Sequence, residues 1–202
     1  MRFDNPSVAA IIVLAVLVAL AVFLYKPVFE NPETVFKEDP LEKNKEVQFQ
    51  PGQQYVYGYM FNGTQINMTY VILPDPYCTR IRMLESQNIS ESCIDKWGMD
   101  EKGYNSTLEN PHMILFKPWM LALKEGWRWS NAMYLSYNGN TYPISASEYR
   151  VVRIDQYMNR SAFIVEIKTQ SGSVEYEWVD VEKRILLKTS GPGYEVFLAE
   201  QS

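Results

Sequence analysis

Few residues of this 202-residue chain are placed to do chemistry. Cys78 and Cys93, its two cysteines, enclose a polar loop and are even in number, a pattern expected to form a disulfide in an exported domain. Closing a loop of about fifteen residues would stabilise the fold by about 3 kcal/mol in the entropic model. Buried free thiols are the alternative. A structural zinc site wants four Cys or His ligands, and two cysteines with the single His112 fall short, so no metal is expected. Ser-His-Asp or Cys-His catalysis needs an imidazole beside a nucleophile. His112 stands in Asn110-Pro111-His112-Met113 with no such motif near it and reads as a loop residue.

The carboxylates Glu166, Glu175, Glu177 and Asp180 are the remaining chemical candidates, because glycoside hydrolysis requires two acids about 5–10 Å apart. Alternating Glu on a strand is ordinarily a solvated face, so no catalytic residue is assigned. Ser190-Gly191-Pro192-Gly193 has a proline where a phosphate loop needs a backbone N–H, and no Lys-Ser/Thr follows. No cofactor is expected.

Modification is better marked. Asn62, Asn67, Asn88, Asn105 and Asn159 each begin an Asn-x-Ser/Thr sequon, five where chance would give about one. All five follow the apolar run Val8–Tyr25, whose eighteen residues would make roughly 27 Å of helix, close to the hydrocarbon thickness of a bilayer. Asn5-Pro6-Ser7 suits its start and Pro27 its end. A signal peptide cleaved after Ala19-Leu20-Ala21 is the alternative. The run continues through Tyr25 and favours an uncleaved signal anchor, N-terminus cytoplasmic and C-terminal domain outside.

These features divide the chain into a transmembrane anchor (1–25), a charged stalk (26–46) and an extracytoplasmic β-rich domain (47–202). The domain is long enough for one core. A net charge of -5 leaves no basic face for nucleic acid. Tyr55, Tyr57, Tyr59 and Phe61 alternate up to Asn62-Gly63, and Ile66, Met68, Tyr70 and Ile72 alternate away from it. A two-residue turn pairs Phe61 with Thr64, Tyr59 with Ile66, Tyr57 with Met68 and Tyr55 with Tyr70, which places both alternations on one face. Asn67 then lies opposite Gly58 on the other face, with room for a glycan.

A second hairpin, turning at Asn138-Gly139, is expected to pair Leu135 with Tyr142 and Met133 with Ile144. A third, turning at Ser171-Gly172, pairs Ile167 with Tyr176, Val165 with Trp178 and Phe163 with Asp180, and sets Glu166 against Glu177 on a wet face. Arg150–Ile154, Arg184–Lys188 and Tyr194–Ala199 bring the total to about eight strands in an antiparallel meander. The apolar stretch Met113–Leu123 is expected to include one short helix from Pro118, covering the concave face of the sheet. Trp97, Trp119, Trp127, Trp129 and Trp178 are expected mostly in the core or on sheet faces.

With Lys124-Glu125-Gly126-Trp127-Arg128-Trp129, Glu177-Trp178-Val179-Asp180 and Lys183-Arg184-Ile185-Leu186-Leu187, the last eighty or so residues resemble exported half-barrel domains of the lipoprotein-carrier-like kind and of bacterial and archaeal surface proteins. The resemblance implies a mainly β half-barrel, and a small hydrophobic ligand if the carrier's acyl-chain cavity is shared. The chain is therefore expected to be a membrane-anchored, non-enzymatic ligand- or protein-binding module. The alternative is an accessory subunit of a larger membrane complex, with a carboxylate-based hydrolase behind both.

Overall fold

The computed structural model describes residues 33–202 apart from 62, 87, 101–113 and 138–139. The anchor segment, His112, Asn62 and Asn105 lie outside the described residues. Among the described residues, no helix is long and apolar enough to cross a membrane. Eleven antiparallel strands among the described residues form a single sheet: β1 (Glu33–Glu38), β2 (Gln54–Phe61), β3 (Thr64–Leu73), β4 (Thr79–Glu85), β5 (Asn88–Ile94), β6 (Arg128–Tyr137), β7 (Asn140–Tyr157), β8 (Arg160–Thr169), β9 (Val174–Asp180), β10 (Leu186–Gly191) and β11 (Tyr194–Gln201). Their spatial order is β1-β6-β7-β8-β9-β10-β11-β2-β3-β4-β5. Two meanders, β2–β5 and β6–β11, are joined where β11 pairs β2, and β1 is added to the free edge of β6.

The β2–β3 hairpin has the register that its alternation dictates, with Phe61 opposite Thr64, Tyr59 opposite Ile66, Tyr57 opposite Met68 and Tyr55 opposite Tyr70. Gly63 takes φ +78°, the left-handed conformation such a turn requires. Tyr55, Tyr57, Met68, Tyr70 and Ile72 are buried together, and the Tyr57 hydroxyl donates to the Leu186 carbonyl at 2.5 Å. Asn67 is opposite Gly58 and exposed, as expected. The space over Gly58 is used by Phe197, however, whose ring would lie 2.6 Å from a Cβ there.

Three expectations are corrected. In the second hairpin Leu135 does face Tyr142, but a bulge before Tyr134 sets Met133 opposite Ser145 and leaves Ile144 as the extra residue. Pro143 sits beside that bulge, where its missing N–H does least harm. In the third hairpin the Thr169 amide bonds the Ser173 carbonyl, so the loop is longer than two residues and the register moves by one. Glu177 therefore faces Val165, Phe163 faces Val179 and Ile167 faces Glu175. Finally, the segment 26–46 is not a free stalk throughout, because β1 pairs Glu33 to Glu38 with Ser136 to Asn131. Beyond β1, Leu41 packs on the core and the Asn44 amide bonds the Leu121 carbonyl.

The core is built around residues 114–123. Leu115, Phe116 and Trp119 through Leu123 are almost wholly buried, and Pro118–Ala122 is a short 3-10 helix at the expected place. Within this ten-residue segment the Ile114 amide reaches the Tyr70 hydroxyl on β3, and Trp119 packs against Tyr149 on β7. Those strands stand six positions apart in the sheet. Flat, they would be separated by roughly 29 Å. The sheet is therefore curved around the segment, a bend that the bulges at β6–β7, β7–β8, β9–β10 and β11–β2 permit.

Strand directions give the curved sheet two unlike ends. One end carries the turns β2–β3, β4–β5, β6–β7, β8–β9 and β10–β11, and it is also where β1 begins. At the other end the chain leaving β1 crosses to the residues beyond β5, with the Val47 amide on the Lys96 carbonyl and the Lys43 ammonium on that of Trp97.

Candidate functional site

The register of the third hairpin creates the site. Val151, Val165, Glu177, Thr189, Val196, Tyr59 and Ile66 lie in one row across seven strands, all on the inner face. A glutamate has thus been placed in a row whose other members are uncharged, and it is 0 % exposed. Its partner comes from the core segment: Lys117, the one charged residue of the run Met113–Leu123, forms an ion pair with it. Lys117 enters between Phe116 and Pro118 and also lies over the Trp119 ring, 5.9 Å from its centre.

Burial pushes the Glu177 carboxyl above the usual carboxylate range, and the ammonium of Lys117 draws it back only in part. Burial also opposes the charge on Lys117, but Glu177 outweighs it and holds the ammonium pKa up. One Glu177 oxygen, Oε2, has no hydrogen-bond partner among the described residues, nor has the buried indole nitrogen of Trp119. Lys117 keeps a third of its side chain exposed. The buried pair consequently has an approach from solvent.

Further polar groups surround it on the same face. Glu175, two residues before Glu177 and half-buried, accepts from the Tyr194 hydroxyl; burial and then this carboxylate raise the Tyr194 pKa. Tyr194 reaches across β10 because Gly191 lies beneath its ring, 2.5 Å from where a Cβ would stand. Tyr149, raised by burial, accepts from Asn131 at 3.5 Å, and the Lys117 charge moderates its shift. Lys117, Glu177, Glu175, Tyr194, Tyr149 and Asn131 make a polar layer between the apolar core and the turn-bearing end. The arrangement offers acceptors and one partly solvated cation, suited to holding a donor-bearing group.

The other sequence candidates fall elsewhere. Glu166 is on the outer face, where it pairs with Arg150 at 2.8 Å and accepts from Tyr176. Asp180 caps the turn after β9 by accepting the amides of Glu182 and Lys183, and it meets Arg160 at 3.3 Å. Of the four acids weighed for glycosidase chemistry, Glu175 and Glu177 are the two on the inner face. Cys78 and Cys93 are bonded to each other across the base of the β4–β5 hairpin. Asp75 lies beside them, yet both sulfurs are used by the disulfide and the trio offers no thiolate to a metal. Asn67, Asn88 and Asn159 are exposed. Trp119, Trp127 and Trp129 are buried, Trp119 and Trp129 against Tyr149 and Trp127 stacked on both indoles, while Trp97 is exposed.

A cleft of about 420 Å³ crosses the outer side of β6–β8. Its three cations, Arg128, Arg150 and Lys168, are balanced by Asp39, Glu148 and Glu166, which gives it no preference for either charge. Sequence reasoning missed Lys117. The signal was available, since a lone cation in an eleven-residue apolar run requires a buried partner.

No protein-family model matches this chain, and no curated protein does. A solved structure from Bacteroides fragilis, described as an exported protein with a YmcC-like fold, is similar over 78% of this chain and 99% of its own, with 10% identity and a TM-score of 0.43.

Proposed function

We propose that the chain is a single-pass membrane protein, anchored by residues 8–25, whose β domain acts outside the cytoplasm as a non-enzymatic binding module. Its recognition surface is the polar layer of Lys117, Glu177, Glu175 and Tyr194. The observation that carries this reading is a wholly buried Glu177 that gives one oxygen to Lys117 and leaves the other unpartnered among the described residues. Such a pair adds little stability over well-packed apolar side chains. Its presence in a row otherwise made of Val, Thr, Tyr and Ile is a cost that binding would explain. With two carboxylates against one ammonium, the layer favours a ligand or protein segment that presents a cation or hydrogen-bond donors.

An acyl chain is a poorer fit, because residues 114–123 already fill the interior that a lipoprotein carrier keeps for its ligand. The test is native mass spectrometry of the full chain extracted in mild detergent, beside a Glu175→Gln variant. A bound species on the parent that is lost from the variant, with thermal stability unchanged, is the expected result. A bare protein in both preparations would overturn the binding reading. A mature chain beginning at Val22 would overturn the anchor.

A further inference from the structure

β1, β6 and β7 extend past the body of the domain. The last backbone hydrogen bond between β7 and the β8–β9 loop runs from the Gln170 amide to the Ala146 carbonyl. Beyond it the β6–β7 ladder continues for five pairs, from Met133 opposite Ser145 to Tyr137 opposite Asn140. That is roughly 16 Å of ribbon. No Asp, Glu, Lys or Arg occurs between Asn131 and Ser147 in the sequence. Tyr142 is 51% exposed and Ile144 48%. An uncharged ribbon with exposed apolar groups on a projecting, half-unpaired edge needs a cover.

The tether says what that cover is. β1 starts at Glu33, opposite Ser136, one pair short of the last rung of the ribbon. Seven residues, 26–32, separate Glu33 from the end of the apolar run at Tyr25. Fully extended they reach no more than about 25 Å. We infer that the outer half of the β6–β7 ribbon rests in the head-group layer of the bilayer, with Tyr137, Tyr142 and Ile144 as its contact. Tyrosine suits that depth, its ring in the apolar boundary and its hydroxyl in water. The β6–β7 ribbon carries no basic residue, and Lys37 of the adjoining β1 is paired at its base, opposite Ala132, so the contact needs no anionic lipid. The inference rests on the anchored reading above, and it turns the polar layer at the same end of the curved sheet toward the membrane surface.

The test uses the full chain in phosphatidylcholine vesicles. An environment-sensitive fluorophore is placed on Tyr142→Cys, and in a second preparation on Asn159→Cys in the β7–β8 turn at the opposite end; both are labelled without reductant, so that the native disulfide stays closed. Head-group spin-labelled lipid should remove more than half of the fluorescence at position 142 and leave position 159 unchanged, in low and high salt alike. Equal, weak quenching at both positions in protein that floats with the vesicles overturns the ribbon contact and spares the anchor. Shielding of position 142 from aqueous quencher without lipid quenching assigns the ribbon to a protein partner and also overturns it. Failure to float overturns both readings.

Discussion

Replacing Lys117 by Met tests whether the polar layer is electrostatically built as described. The substitution conserves most of the volume but leaves Glu177, 0 % exposed, without its cation. Breaking a buried pair in this way costs about 3–5 kcal/mol. Because a third of Lys117 is in solvent, water already screens part of the pair, and the low end, about 3 kcal/mol, is expected. For a domain of this size that is a fall in Tm of roughly 6–12 °C. The deficit should depend on pH. A carboxyl whose folded pKa is raised binds its proton more tightly when folded, so stability is retained below the ordinary carboxylate range and lost as pH rises through the raised value. Without the ammonium that window moves further up, whereas in the parent Lys117 stays charged throughout. The gap in Tm between parent and Lys117→Met should therefore narrow from pH 7 to pH 5, as followed by circular dichroism. The double variant Lys117→Met with Glu177→Leu should lie within about 1 kcal/mol of the parent or above it. A deficit identical at both pH values, or a double variant as unstable as the single one, would refute the reasoning.

Three other outcomes are expected. Tyr57→Asp should destabilise by about 3 kcal/mol or more, since it removes a buried ring and its bond to Leu186, while Asn67→Gln on the exposed face should cost little; comparable losses in thermal melts would contradict the face assignment. Non-reducing peptide mapping should recover Cys78 linked to Cys93, and the double Cys→Ser variant should lose about 3 kcal/mol in urea titration, with hydrogen exchange rising first in β4–β5. Gly191→Val should displace the Tyr194 ring and lower the tyrosine pKa read by ultraviolet titration; an unchanged titration would contradict the packing of Tyr194 over Gly191.

How far the fold could be read from sequence depended on where one periodicity was unopposed. The β2–β3 hairpin has strict alternation on both arms and a two-residue Asn-Gly turn, so its register was fully legible. In β8–β9 the alternation was equally clear, but the bond from Thr169 to Ser173 lengthens the loop by a residue. That single step carried Glu177 from the water side to the core. Half of the candidate site was hidden for this reason, since paired glutamates on a strand otherwise signify solvent. β4 and β5 were missed because Asn88–Ile94 is largely polar. Their pairing draws on the cross-strand contact of Arg82 with Glu91 and on the disulfide, neither of which hydropathy records. β1 is short, charged and at an edge, and it gains its place from β6 rather than from its own pattern.

The joint between β11 and β2 also governs how the domain comes into being. Val196 and Tyr59 meet across it although well over a hundred residues separate them in the chain, whereas the other ladders within each meander close over short loops. Each meander can collapse locally, but β2 stays an open edge, with Tyr55 and Tyr57 uncovered on one side, until β11 has been synthesised. During synthesis, the β2–β5 half would emerge first and wait as an adhesive sheet. A cell making this protein would need to shield that edge for the time taken to deliver the last strand, and slow delivery would favour the mispairing of two nascent chains through β2.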